Sequence, residues 1–159
     1  MSTLWELVRG NPRSVEGDAE WLHLLMSDMQ LLADLAFADL VLWVPATEGE
    51  FRAVSLARPS GSATLFYRDF VGEPVRDEWR AMVAEAFSAA QIVDSASPDW
   101  YEETPTRVRA VPVLRRLSPS GGEVSSHPIA VLTSHSNLGE TRNPSRQEST
   151  FNEVANDLF

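Results

Sequence analysis

The chain has 159 residues, of which 43% are hydrophobic and 23% are charged, a composition typical of one ordinary globular domain. Its net charge of −10 argues against nucleic acids and anionic lipid surfaces as partners, because both require a basic surface. The absence of cysteine excludes disulfides and thiolate metal sites, and without a secretory signal or a long apolar run we expect a cytoplasmic protein that does not span a membrane.

Two helices are predicted at the N-terminus. Thr3-Leu4-Trp5-Glu6 fits a capping box that opens a short helix to about Arg9, and a long helix follows from about Ser14 to Ala36. The long helix has two adjacent apolar stripes, the first with Leu22, Leu25, Met29, Leu32 and Ala36 and the second with Trp21, Leu24, Leu31 and Leu35. One stripe can cover a sheet, and the other can meet a partner helix.

A strand at Asp39–Val44 follows directly and is apolar on both faces, as expected of a central strand that is covered on both sides. A turn at residues 47–50 and a second strand at Phe51–Ala57 complete a hairpin. After a turn at residues 58–62, a third strand is predicted at Ala63–Arg68.

The second half of the chain contains two helices and two strands in the prediction. The first is a helix from Pro74 to about Gln91, which is followed by an irregular segment, Asp94–Thr106. Two strands come next, Arg107–Leu114 and Ile129–Ser134, joined by a flexible hairpin tip at residues 118–126. The last element is a helix that begins at Ser145. Because that last helix reaches Phe159 without a capping residue, we expect the chain to be the N-terminal piece of a longer protein.

This order of elements predicts an α+β fold. We expect one domain over residues 1–159, with a central antiparallel sheet of five to six strands. The N- and C-terminal helices would lie on one face of the sheet, and the middle helix and the irregular segment would lie on the other.

The sequence offers no set of catalytic residues. His23, His127 and His135 have no metal-ligand spacing, and neither a nucleophile elbow nor a glycine-rich phosphate loop is present. The phosphoacceptor histidine and ATP-binding motifs of a kinase are also missing. We therefore expect no enzymatic activity from this fragment, no metal site, and no cofactor that the sequence can name.

A ligand pocket is predicted where the irregular segment, rather than a whole helix, covers the sheet. The residues expected to line it are Trp43, Tyr67, Trp100, Arg107 and Arg109. Aromatic side chains can stack a planar ligand, and an arginine can bind a carboxylate or phosphate through two hydrogen bonds. The alternative is that Trp43 is plain core and that the strand arginines face solvent.

Five segments of the chain together resemble a known family. They are QLLADLAFADLVLWVP, VSLARPSGSATLFYRDFVGEPV, VRAVPVLRR, HPIAVLTSHSNL and SRQESTFNEVANDLF. In their order and spacing they resemble the N-terminal GAF-type sensor domain of actinobacterial cytosolic sensor histidine kinases of the PdtaS type. The resemblance covers residues 3–159, and its most specific block is Gln30–Leu35 with Ala38, Asp39 and Trp43.

The resemblance implies that a PAS-like domain, a dimerisation and phosphoacceptor helix pair and an ATPase domain follow, so that ATP would bind only in the missing kinase domain. It also implies a downstream response regulator that acts on RNA. GAF domains at large bind cyclic nucleotides, tetrapyrroles or small metabolites, and the fold does not say which. The chain departs from the family in a longer insert at residues 119–126 and in having no cysteine, which excludes a thiol-based signal and a cysteine-linked chromophore.

The functional hypothesis is a signal-input domain that works as a homodimer and binds a small molecule, mediates dimerisation, or does both. The dimer interface is predicted from the first long helix and the last one, with Leu22, Leu25, Met29, Leu32, Phe151, Val154 and Leu158. The alternative is a ligand-free structural dimerisation module, whose cavity is filled by Trp43, Phe66 and Trp79. A small hydrolase or redox enzyme has no residue set to support it.

Overall fold

The computed structural model describes residues 4–46, 49–60, 65–66, 69, 71–95, 99–101, 104–117 and 125–138. In these ranges the chain forms three helices and six strands. Their bounds are α1 Leu4–Gly10, α2 Asp18–Ala36, β1 Asp39–Pro45, β2 Phe51–Ala57, α3 Asp77–Ala89, β3 Val93–Asp94, β4 Asp99–Tyr101, β5 Thr104–Leu117 and β6 Ser125–Asn137.

The strands form one antiparallel sheet in the order β2-β1-β6-β5-β3, and the short strand β4 also pairs with β5. Helices α1 and α2 pack on one face of the sheet, and α3 packs on the other. The predicted α+β class, the antiparallel sheet and the placement of the N-terminal and middle helices on opposite faces are confirmed.

Strand β1 supplies side chains to both faces of the sheet. Val41 and Trp43 belong to the core beneath α3, whereas Leu40, Leu42 and Val44 belong to the core beneath α1 and α2. Successive strand residues point to opposite faces, so a strand buried on both sides must be apolar throughout. The apolar run in the sequence therefore predicted the position of β1 correctly.

The two apolar stripes of α2 have different environments. Leu22, Met29 and Ala33 are buried against the sheet, because these positions repeat at the helical period and face β1 and β2. The side chains of the second stripe are exposed to solvent. We call this surface the α2 stripe, and its members are Trp21, Leu24, Leu31 and Leu35.

Several predicted boundaries were wrong. Helix α2 begins at Asp18 rather than at Ser14, because residues 11–17 form turns in which Asn11 accepts hydrogen bonds from Arg13 and Ser14. The segment predicted to be irregular contains β4 and parts of β3 and β5, and Ser125 and Ser126 of the predicted hairpin tip belong to β6. The described residues of the predicted third strand, Leu65 and Phe66, are not in a strand.

Other predicted features lie outside the described residues. These are the remainder of the third strand with Tyr67, residues 118–124 of the hairpin tip, and the C-terminal helix with Phe151, Val154 and Leu158. No helix in the ranges given above is both long and apolar enough to cross a membrane.

The segment that leads into α2 is fastened to β5 by Arg115. Its Nη1 donates hydrogen bonds to the Glu16 carbonyl oxygen at 2.8 Å and to Asp18 Oδ1 at 2.7 Å, and the Val15 amide donates to Asp18 Oδ2 at 2.8 Å. Gly17 has φ of 93°, and a Cβ there would lie 2.6 Å from Arg115 Nη2. Glycine is therefore favoured by the backbone angle, and an added Cβ would also displace the guanidinium group of Arg115.

We predict that Gly17→Ala lowers the free energy of unfolding by about 2 kcal/mol, because the methyl group adds left-handed strain and displaces Arg115. Urea denaturation followed by circular dichroism measures the change. The matched control is Gly10→Ala, since no atom lies within 4 Å of the added Cβ, and this variant should be neutral or slightly stabilising. Equal effects of the two substitutions would contradict the close packing of Arg115 on Gly17.

Candidate functional site

Five side chains form an aromatic cluster under α3, at the place where the sequence predicted a ligand pocket. Trp79 of α3 lies in its middle, with ring centroids 6.2 Å from Trp43, 5.8 Å from Phe66 and 4.6 Å from His135. Tyr101 closes the cluster, 4.9 Å from Phe66. Tilted and edge-to-face arrangements at these distances are favourable packing for aromatic rings, so the side chains of the chain itself fill this space.

Two hydrogen bonds link Trp43, Thr133 and His135 on the sheet side of the aromatic cluster. The Trp43 indole Nε1–H donates to Thr133 Oγ1 at 2.8 Å, and Thr133 Oγ1 is hydrogen-bonded to His135 Nε2 at 2.7 Å. All three side chains are buried, and burial lowers the pKa of His135 to about 3. His135 is therefore neutral at physiological pH, because its charged form would lose its hydration without gaining a counter-ion.

Asp39, at the start of β1, holds the segment that carries Phe66. The amides of Leu65 and Phe66 donate to Asp39 Oδ2 at 3.2 Å and 3.0 Å, and Arg58 Nε donates to the Phe66 carbonyl oxygen. Asp39 is itself buried, and amide donors are the partners that a buried carboxylate requires. The ring of Phe66 is in this way fixed over the floor of the aromatic cluster.

The structure does not bring the predicted pocket residues together. Trp43 is fully buried in the aromatic cluster. On β5, Val108 and Ala110 face that cluster, so Arg107 and Arg109 point to the opposite face of the sheet. Arg107 is exposed, and Arg109 Nε forms an ion pair with Asp94 Oδ1 at 2.7 Å.

The remaining two predicted pocket residues have no described side chain. Trp100 lies in β4, where only its backbone is described, and Tyr67 lies outside the described residues. Sequence reasoning missed His135 and Tyr101 as neighbours of Trp43. For His135, the sequence did contain a signal. Val131, Thr133 and His135 alternate along β6, and every second residue of a strand lies on the same face of the sheet.

The predicted dimer interface needs a correction at two positions. Leu22 and Met29 are buried inside the chain, at 0% and 1% exposure, because they pack on β1 and β2 and are not available to a partner. Leu25 and Leu32 are half-buried at the border of the α2 stripe. Leu24 and Leu31 of that stripe are 63% and 60% exposed, so they are the leucines that a partner can reach.

The described residues near α2 line a groove and a cleft. One is a shallow groove of about 280 Å³ beside the α2 stripe, between Trp21, Leu24 and residues 112–114 of β5. The other is a cleft of about 630 Å³ at the end of the sheet, bounded by the α1–α2 linker, β1, β6 and α3. In the described part of the chain, no group of three or more histidine, aspartate and glutamate side chains is placed to hold a metal ion.

The fold matches that of a solved structure of known class. A solved structure described as the sensor region of a sensor histidine kinase superimposes on 99% of this chain and 51% of its own, with a TM-score of 0.65 and 28% identity. An IclR transcriptional regulator of Alicyclobacillus acidocaldarius shares only the fold, with a TM-score of 0.51 and 11% identity over 86% of this chain and 64% of its own. The class is therefore that of a sensor domain of a histidine kinase.

The family is shown by the sequence match. The family model described as "Histidine kinase PdtaS, GAF domain" matches residues 4–155, so the chain belongs to this family. Curated relatives are the sensor histidine kinases PdtaS of Mycolicibacterium smegmatis, 31% identical, and of Mycobacterium tuberculosis, 30% identical. Each alignment covers 100% of this chain and 31% of the relative, so the chain spans about a third of their length.

The buried histidine makes the stability of the domain depend on pH. In the unfolded chain a histidine binds a proton near pH 6.5, whereas the pKa of about 3 keeps His135 neutral in the folded state. Between these values the unfolded state binds more protons, so the free energy of unfolding falls as the pH falls. From pH 7 to pH 5 we expect His135 to account for a loss of about 2 kcal/mol.

The test compares urea denaturation of the parent and His135→Gln at both pH values. The variant should lose less stability between pH 7 and pH 5 than the parent does, because it lacks the titrating ring. His23→Gln is the control, since it removes a histidine from the exposed side of α2 and keeps the buried His135. A parent and a His135→Gln variant with the same pH slope would show that His135 is not held neutral by burial.

Proposed function

We propose that this chain is the signal-input domain of a two-component histidine kinase and that it works as a homodimer through the α2 stripe. Membership of the PdtaS family supports the first part, and the exposed apolar surface of α2 supports the second. In this proposal residues 1–159 form one cytoplasmic domain of an actinobacterial protein. Kinase domains outside this chain would bind ATP and pass the signal to a response regulator.

The α2 stripe has the geometry of a helix-pairing surface. Trp21, Leu24, Leu31 and Leu35 recur at steps of three, seven and four residues, so they form one exposed band along about four turns of helix. An exposed band of large apolar side chains on a single helix is a typical interaction surface. A second copy offers the same band, and the seam that results is isologous.

Asp28 sits in the middle of the α2 stripe and is exposed. In a symmetric pair of helices the two Asp28 side chains approach each other, and like charges at such a seam lower the affinity of the dimer. A pair of helices held by leucines and opposed by carboxylates has a modest dissociation free energy. A modest value suits a sensor, because signals change conformational equilibria by about 1–3 kcal/mol.

The packing under α3 supports a dimerisation module more than a ligand sensor at the predicted pocket. The alternative hypothesis required Trp43, Phe66 and Trp79 to fill that space, and the ring centroids of Trp43 and Phe66 lie 6.2 Å and 5.8 Å from that of Trp79. A small molecule could enter there only if several buried rings moved. The homodimer is therefore the part of the proposal that the described surfaces support best.

We predict that Leu24→Glu combined with Leu31→Glu converts the dimer to a monomer of unchanged fold, because both side chains are exposed and the substitution buries charge only at the seam. Size-exclusion chromatography with light scattering measures the mass, and circular dichroism checks the fold. Asp28→Asn should change the dissociation constant in the opposite direction, about tenfold tighter, by removing the repulsion.

The matched control is His23→Glu combined with Ser27→Glu, which adds the same two charges to the polar side of α2. It should leave the dimer intact. A parent that is monomeric at micromolar concentration, or a Leu24→Glu, Leu31→Glu variant that remains fully dimeric, would contradict the proposed seam.

A further inference from the structure

The cleft at the end of the sheet is a cavity that the aromatic cluster leaves open. Its volume of about 630 Å³ lies within the range of small-molecule sites, roughly 300–1,000 Å³. Its apolar walls come from both faces of the sheet and from three helices, and they are Val8, Leu22, Val44, Phe51, Phe87 and Ile129. Of the residues predicted from the sequence to line a pocket, the three with described side chains, Trp43, Arg107 and Arg109, do not belong to it.

The cleft exists because the sheet opens between β1 and β6. The pairing of these strands ends at Trp43 and Val131, although β1 stays paired with β2 and β6 stays paired with β5. Pro45 and Pro128 lie just beyond this point, and a proline cannot donate a backbone hydrogen bond to a neighbouring strand. The two hairpins therefore separate, and the space between them becomes the cleft.

Among the described residues, the charges that line the cleft include one cation without a counter-ion. Asp18 is paired with Arg115 at 2.7 Å, and Glu50 is paired with Arg52 at 3.6 Å. The exposed Arg13, on the α1–α2 linker, forms no ion pair with any acidic side chain of the described ranges. In a chain of net charge −10 an unpaired arginine beside an apolar cleft is the group that attracts an anion.

We propose that this cleft binds a small monocarboxylic acid with an apolar body. The guanidinium group of Arg13 binds the carboxylate at the mouth, since its planar donors match the two oxygens. The apolar body lies against Phe87, Val44 and Ile129. A second charged group is disfavoured, because the remaining charges of the wall are already neutralised within the chain.

This inference deepens the proposed function by naming the chemical class of the signal, and it rests on that proposal only for its effect on the kinase. Leu22 and Asp18 of the cleft belong to the first turns of α2, next to Trp21 of the α2 stripe. A ligand that orders the α1–α2 linker thereby acts on the base of the helix proposed to form the dimer. Binding itself requires no dimer.

The test is a titration of the isotope-labelled chain with phenylbutyrate, followed by amide proton–nitrogen NMR spectra. We expect saturable shifts at millimolar concentration, largest for the amides of Val44, Phe87 and Ile129. Phenylbutanol is the uncharged comparison. Arg13→Gln should weaken phenylbutyrate binding about tenfold and leave phenylbutanol binding unchanged, because only the carboxylate uses the guanidinium group.

Two further variants make the test specific. Ala84→Phe enlarges an exposed side chain at the wall formed by α3, so the domain should fold and bind neither probe. Arg9→Gln makes the same charge change on α1, outside the cleft, and should bind phenylbutyrate as the parent does. The proposal is overturned by the absence of saturable binding, by shifts centred on Trp79, or by equal effects of Arg13→Gln and Arg9→Gln. Light scattering on the same samples reports the dimer separately, so the two proposals fail independently.

Discussion

The burial of β1 on both faces is the constraint on which the rest of this domain depends. Its odd-numbered residues Val41 and Trp43 serve the core under α3, and its even-numbered residues Leu40, Leu42 and Val44 serve the core under α1 and α2. Both cores include side chains of β1. Because protein interiors are closely packed, a change of packing in either core displaces this strand. Helices on the two sides of the sheet are in this way connected through the sheet itself, since β2, β5 and β6 also supply side chains to both cores.

The two surfaces on which the functional proposals rest, the α2 stripe and the cleft, differ in whether they contact β1. The α2 stripe is exposed and belongs to neither core, so in the proposed dimer it pairs with a second copy without disturbing either core. The cleft begins where β1 leaves β6, so its contents touch the strand at Val44 and the helix at Leu22. The aromatic cluster under α3, by contrast, is closed by packing between rings and by the amides that bind Asp39. In the two proposals made above, a signal is received at the edge of the sheet and transmitted along α2.

Much of the fold was predictable from periodicity. The continuous apolar run of β1, the two stripes of α2 and the hairpin at Phe51 are local patterns with a direct structural meaning. The strand and the hairpin were assigned correctly, but the first stripe of α2 was assigned to the dimer interface, whereas its Leu22 and Met29 are buried against the sheet. The choice of which α2 stripe meets the sheet was not local, because both stripes are apolar and only the position of β1 and β2 decides between them. The pocket prediction failed for a similar reason. Arg107 and Arg109 lie on β5, two strands away from Trp43, and the period of two in β5 places them on the opposite face of the sheet. The cleft left no local signal, since it arises from where two strands stop pairing.

The pairing of β1 with β6 also has a consequence for the order in which the domain can fold. The hydrogen bond between Trp43 and Thr133 joins residues 90 positions apart, so the central pair of the sheet closes a very long loop. On the ribosome β1 emerges well before its partner, and it is apolar on both faces throughout the interval. Contacts of such large sequence separation slow folding and prolong the exposure of unpaired strand edges. We therefore expect that, in the nascent chain, pairing with β2 and packing against α2 cover β1 until β6 has been synthesised.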